Sequence, residues 1–163
     1  MRFRLDTESL IKANSQFWEQ MLNMHLDPLP ESEVFCVSPG HLLGQVHLDG
    51  RWKGRIEVRL AEGLAHAATA AMLMMPVEEI GESDTLDAIR EIANMVAGTI
   101  KSALPRPCTM TVPESAVATE SLSSQPCPED MMMVAFNHES GGLLVRIWEE
   151  ECADPSLCEE GAN

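Results

Sequence analysis

Residues 84–104 read DTLDAIREIANMVAGTIKSAL, and their spacing decides the fold. Leu86, Ile89, Ala93, Val96, Ala97, Ile100 and Leu104 recur at intervals of three and four, which predicts one long amphipathic helix with a buried stripe. At about 100° per residue, Asp87, Glu91, Asn94 and Gly98 form a second line on another side. Glu91 and Asn94 stand three apart, so their side chains are neighbours. Asn is a weak helix former, and Gly inside a helix costs about 1 kcal/mol against Ala. Neither residue helps the helix. Both suit a surface that a partner approaches closely, meeting a carboxylate beside a carboxamide.

On the N-terminal side, Asp6 or Thr7 can cap a first helix over residues 8–24, with Leu10, Phe17, Met21 and Met24 as its apolar spacing. Trp18 is expected to cover that helix at its edge. Asp27-Pro28-Leu29-Pro30 ends it, because proline cannot continue a helix. Three strands are predicted next, at 34–37, 42–48 and 55–60, with Asp49-Gly50 as a hairpin signal between the last two. In the third, Ile56, Val58 and Leu60 share one face. Arg55, Glu57 and Arg59 share the other, which is expected to be wet or at an interface. An Ala-rich helix over 62–75 follows, stopped by Pro76. His66 is expected at its solvent edge, and Met72, Met74 and Met75 as adaptable core packing. The loop at 81–84 offers caps and acidic residues for the long helix.

Beyond the long helix, Pro105-Arg106-Pro107 terminates it and 109–112 reads as a strand ended by Pro113. Residues 119–130 are polar and proline-containing and read as a loop. Two strands, 131–136 and 143–148, close the pattern around a turn at 137–142. Together these elements predict an α+β fold, an antiparallel sheet of about six strands packed with helices. Residues 1–150 are expected to make one domain. Residues 151–163 are expected to be an acidic tail without fixed structure.

The chain has 163 residues, with 26 acids against 11 bases, for a formal charge of −15. Such a charge repels phosphate backbones and anionic lipid, so nucleic acid and membrane are excluded as partners. No apolar run is long enough to span a bilayer, and residues 1–10 have no apolar signal core, so a cytoplasmic protein is expected. Five cysteines without CxxC spacing argue against a disulfide scaffold. Cys152 and Cys158 are expected as exposed thiols, and no metal site is read from the ligand spacing.

Glu91-x-x-Asn94, within EIANMVAG and followed by Lys101-Ser102, resembles the signature helix of the CheX/CheC/FliY phosphatases of bacterial chemotaxis, with CheX the nearest member. Asp87 matches the acidic or hydroxyl residue that the family places four before the Glu. Pro113 in CTMTVPESAV matches the family's downstream strand proline, although the stretch between Asn94 and Pro113 is shorter than is usual there. The resemblance implies a homodimer acting on a phosphorylated receiver domain of the CheY type. It implies that Asn94 orients the attacking water and Glu91 pairs with the receiver's lysine, as the catalytic pair. It implies Asp87, Gly98 and Lys101 as docking positions. No cofactor of the chain's own is implied, since the receiver supplies Mg²⁺.

An acyl phosphate is already reactive, and what it lacks is an aligned water. An amide is no base, but it can hold a water in line with the breaking bond. Against this stands the plain alternative that Glu and Asn on the wet face of a helix are simply solvated. A receiver-binding or dimerisation module of the same fold, without catalysis, is the other alternative.

Overall fold

The computed structural model describes residues 5–33, 35–124 and 129–150. Helix α1 (Thr7–Leu22) leads into β1 (Asp27–Pro28), β2 (Cys36–Val37), β3 (Leu42–Gly50) and β4 (Gly54–Leu60). Helix α2 (Glu62–Leu73), a short 3-10 turn (Val77–Glu79) and α3 (Glu82–Lys101) follow. The chain then forms β5 (Cys108–Met110), β6 (Glu114–Val117), β7 (Leu122–Ser123), β8 (Met131–His138) and β9 (Gly141–Glu149). Seven strands make one antiparallel sheet in the order β1-β8-β9-β4-β3-β5, with β6 also paired to β3. All three helices pack on the sheet or on each other. The α+β class with an antiparallel sheet is as the sequence predicts.

The position of α3 is set by a glycine in β3. A Cβ on Gly44 would lie 2.9 Å from Ala93 Cβ, from Ile89 Cγ2 and from the Ile89 carbonyl oxygen. Such distances are well inside contact, so only glycine lets the helix sit this close to the strand. Ile89, Ile92, Ala93, Val96, Ala97 and Ile100 are buried between α3 and the sheet. From β3 and β4 the even-numbered residues Leu42, Val46, Leu48, Ile56, Val58 and Leu60 meet them. From β9, Leu143, Val145 and Ile147 complete that layer.

Several expectations are corrected. Trp18 is fully buried rather than a cover residue, because α1 turns that side of its surface toward α3 and β8. Met74 and Met75 are exposed, and only Met72 packs against the core. Helix α2 ends at Leu73, so Met74 and Met75 lie past the face that touches the sheet. The strand expected at 34–37 is reduced to β2, which pairs with β7 in a separate two-stranded sheet. Strand β7 lies inside the stretch read as a loop. Pro113 stands between β5 and β6 rather than in a strand. Lacking an N–H, it interrupts what is otherwise one edge along β3, with Thr111 bonded to His47 on one side and β6 on the other. The expectations for Cys152, Cys158 and the acidic tail lie outside the described residues.

The largest correction concerns the far face of β4. Glu57 is only 3% exposed and Arg146 of β9 8%, so this face is not simply wet. Glu57 and Arg146 are direct cross-strand partners, and Arg146 Nε donates to Glu57 Oε2 at 3.0 Å. Arg59 Nε donates to the same oxygen at 3.0 Å. Arg146 and Arg55 lie on the Trp148 ring, 4.3 and 4.2 Å from its centroid. Phe35, next to β2, sits against Gly142 on this same face and helps to close it. A buried carboxylate is tolerated here because several guanidinium donors surround it.

His41 extends this network in a fixed tautomer. Its Nδ1 is 2.8 Å from the Ser38 carbonyl, which only accepts, so Nδ1 carries the proton. Its Nε2 is 2.9 Å from Arg59 Nη1, which only donates, so Nε2 is bare. The ring is 1% exposed. Burial holds its pKa below the ordinary 6.5, aided by the positive charges of Arg59 and Arg146 and opposed by the Ser38 bond and Glu57. As pH falls through about 6.5 the unfolded ring takes a proton that the folded ring still refuses, so stability drops. Above that pH both rings are neutral and the contribution vanishes. His25, whose pKa is raised by Glu19 and then Asp27, acts with the opposite sign. The difference between wild type and His41→Gln therefore isolates the buried ring. In urea titrations, wild type is expected to lose more stability than His41→Gln between pH 7 and the histidine range below it; equal slopes would contradict a ring that burial keeps neutral.

Candidate functional site

Helix α3 starts at Glu82 behind its cap Gly81, which lies three residues before the quoted stretch. Asp84 Oδ2 accepts the Gly81 amide at 3.0 Å, and Thr85 Oγ1 donates to the Gly81 carbonyl at 3.1 Å. Glu82 and Asp84 lie in the first turn and Lys101 in the last, each sign suited to its pole of the helix dipole. Ser115 of β6 donates from Oγ to the Leu86 carbonyl at 2.8 Å, tying the helix to the sheet edge. The element that carries the candidate residues is thus held at its start, along its side and from beneath.

Rotation about this fixed axis does the rest. Ile89 and Ala93 point at Gly44. At about 100° per residue, Asp87, Glu91, Asn94 and Gly98 lie about 120° to 180° round the helix from that pair, on the outer surface of the helix layer. Glu91 is exposed and Asn94 half-buried. Among the described residues, no hydrogen bond or ion pair engages either side chain. Asn94 keeps an acceptor oxygen and an amide donor available, one helical turn from a carboxylate. A Cβ added at Gly98 would meet nothing within 4 Å. Among the described residues nothing requires a glycine there.

Not every expected residue joins this pair. Asp87 is on the same line, but Arg90 holds its carboxylate in an ion pair on the exposed surface. Lys101 is half-buried at the end of the helix, ten residues and about 15 Å along the axis from Glu91. Arg90 was not singled out from the sequence. Its signal was there, since a base three residues after Asp87 falls on the same side of the helix. Among the described residues no group of three or more His, Cys, Asp or Glu is arranged to hold a metal ion.

What the pair can do follows from its atoms. A carboxamide can grip a water without removing its proton. A carboxylate beside it can accept from a cation brought by a partner. Neither group is placed to act alone on a small molecule held in a cleft. The pair stands on the outer side of a helix, with Glu91 exposed and Asn94 half-buried, and it fits chemistry completed by a second protein.

The family described as chemotaxis phosphatase CheX matches residues 42–137, more than half of the chain. Those residues hold β3, the whole of α3 and most of β8. Among solved structures, the chain is similar to the chemotaxis protein CheX from Vibrio vulnificus, at 19% identity and a TM-score of 0.68, covering 88% of this chain and 95% of that one. It is similar to a CheC-like superfamily protein from Shewanella sp. PV-4, at 19% identity and a TM-score of 0.69, covering 90% and 100%. It is also similar to a chain in the CheX-CheY-BeF3-Mg²⁺ complex from Borrelia burgdorferi, at 17% identity and a TM-score of 0.66, covering 91% and 100%. No curated protein matches the sequence. At such identities the solved structures share the fold, and the match over residues 42–137 adds the family: this chain belongs to the chemotaxis phosphatase CheX family.

Proposed function

We propose that this chain is a protein-aspartate phosphatase that dephosphorylates a CheY-type receiver domain, with a homodimer as its working assembly. The observation that carries the proposal is the outward line on α3, where Glu91 and Asn94 stand together with no partner among the described residues. Family membership supports it, and so does the similarity to a chain in a complex that contains CheY, BeF3 and Mg²⁺.

The receiver arrives with phosphate on an aspartate and Mg²⁺ beside it. Glu91 accepts from the receiver's lysine and fixes the register of docking. Asn94 hydrogen-bonds a water and holds it opposite the leaving carboxylate oxygen. The water oxygen bonds to phosphorus as the bond from phosphorus to the aspartyl oxygen breaks. Inorganic phosphate and the free aspartate carboxylate result. The charge that develops is borne by the receiver's metal and lysine, so this chain supplies alignment and no nucleophile. Gly98 leaves room for the receiver's loop to pass near the helix, with Asp87 and Lys101 as flanking docking groups. On docking, Asp87 exchanges Arg90 for the partner.

The test is phosphate release from a phosphorylated CheY-type receiver with Mg²⁺. Asn94→Ala is expected to lower kcat about 100-fold with binding nearly intact, as loss of positioning does. Glu91→Ala is expected to weaken both binding and rate. Binding without any acceleration by wild type would leave only a receiver-binding module. Gly98→Ala separates folding from docking. It is expected to stabilise the fold by up to about 1 kcal/mol, since the methyl group meets open space, while raising KM for the receiver. A variant with higher stability and unchanged KM would contradict the role given to the gap.

A further inference from the structure

Asn94 stands between two side chains of opposite charge. Seen down α3 at about 100° per residue, Arg90 lies about 40° to one side of it and Glu91 about 60° to the other, each about one turn back along the axis. Side chains on a helix lean toward its N-terminus, so the Asn94 carboxamide lies over the turn that carries both. Residues four apart on a helix have Cβ atoms about 6 Å from each other, a gap that an arginine side chain is long enough to cover. The only bases in α3 are Arg90 and Lys101, and Lys101 is about two turns further on. Arg90 is therefore the one cation that α3 offers beside Asn94.

Among the described residues Arg90 has a single partner, the Asp87 carboxylate three residues before it. Both side chains are open to water, Arg90 43% and Asp87 67% exposed. An ion pair so exposed contributes little to stability and is readily exchanged for a better one. At rest it keeps the guanidinium on the turn before the site, away from Asn94.

The substrate carries charges that match this arrangement. Its phosphoryl group is an anion, and the lysine that Glu91 takes is a cation. A water held by Asn94 attacks phosphorus only from about 3 Å, so the phosphoryl oxygens come close to the carboxamide and to the turn beneath it. The chain carries a charge of −15, and the outward line itself holds Asp87 and Glu91. A phosphoryl group arriving there meets like charge, and Arg90 is the group that offsets it.

We propose that Arg90 is the residue by which this chain tells a phosphorylated receiver from an unphosphorylated one: on docking it leaves Asp87, and its guanidinium donates to the non-bridging oxygens of the phosphoryl group. This rests on the receiver being the partner of Glu91 and Asn94. A planar guanidinium grips two oxygens side by side, a geometry that an ammonium lacks. Glu91 on the lysine and Arg90 on the phosphoryl group then hold the receiver at two points on either side of the water. Once phosphate has left the aspartate, the second point is gone and the receiver is released.

The test uses the full chain and two probes. A CheY-type receiver with Mg²⁺, with and without beryllofluoride, gives Kd for the loaded and unloaded forms, and the phosphorylated receiver gives kcat/KM. Wild type is expected to bind the loaded form about tenfold more tightly. Arg90→Ala is expected to remove most of that preference, raising Kd for the loaded form while Kd for the unloaded form stays put, and to lower kcat/KM by a similar factor. Arg90→Lys is expected to recover part of the preference, because it returns the charge without the fork. A loaded-to-unloaded ratio in Arg90→Ala equal to that of wild type would overturn the proposal. So would recovery of wild-type Kd in the double variant Asp87→Asn/Arg90→Ala, which would mean that Arg90 serves only to cancel Asp87. If wild type binds the receiver but does not speed phosphate loss, the enzymatic reading fails while the ratio of Kd values still decides the role of Arg90. If wild type binds no receiver, both fail.

Discussion

Helix α3 lies on β3 with no side chain between them at Gly44. Every other property of the candidate site descends from that contact. A helix seated so closely is held in its rotation, because Ile89 and Ala93 are fitted against the strand at Gly44. Fixing the inner side fixes the outer one. Glu91 and Asn94 are thus held in a stated direction by groups that never touch a substrate. A water-positioning amide needs that rigidity, since a displacement of about 1 Å can cost two orders of magnitude in rate.

The two faces of the sheet answer different demands. One is apolar and covered by helices, and it carries the site at its outer surface. The other holds Glu57 among Arg59, Arg146 and Arg55, with His41 closing the chain of bonds to Ser38. Buried ion networks add little net stability, but breaking one member leaves a charge stranded. They specify register instead. The Glu57–Arg146 pair exists only when β4 and β9 are aligned as observed, and a slip of β9 by one residue would turn Arg146 into the core and leave Glu57 without it. Here the polar face fixes the central pairing of the sheet that supports α3.

Local signals in the sequence were readable, and distant ones were not. The stripe through Ile89, Val96 and Ile100 announced α3, and with it the opposite line through Glu91 and Asn94, because helical geometry is set within a few residues. The clean alternation of Ile56, Val58 and Leu60 announced the inner face of β4 in the same way. Its outer face was misjudged because the partner of Glu57 is Arg146, 89 residues away. Strands β2 and β7 have two residues each and no period to detect. Trp18 reads as amphipathic in its own helix and is buried only by what α1 packs against. Gly44 reads as a weak point in a strand, and only the helix above it shows why no side chain fits. The Met-rich end of α2 misled for a related reason. Its apolar composition suggested core, whereas the helix had already ended.

The direct measurement is a titration of the ¹⁵N-labelled chain with a beryllofluoride-loaded CheY-type receiver and Mg²⁺, followed by NMR. The side-chain amide of Asn94 and the backbone amides of Glu91 and Gly98 should show the largest shifts, while His47 and Trp148 on the far side of the sheet stay still. Shifts gathered around Trp148, with the Asn94 amide unmoved, would contradict the assignment of the outward line of α3 as the receiver's docking site.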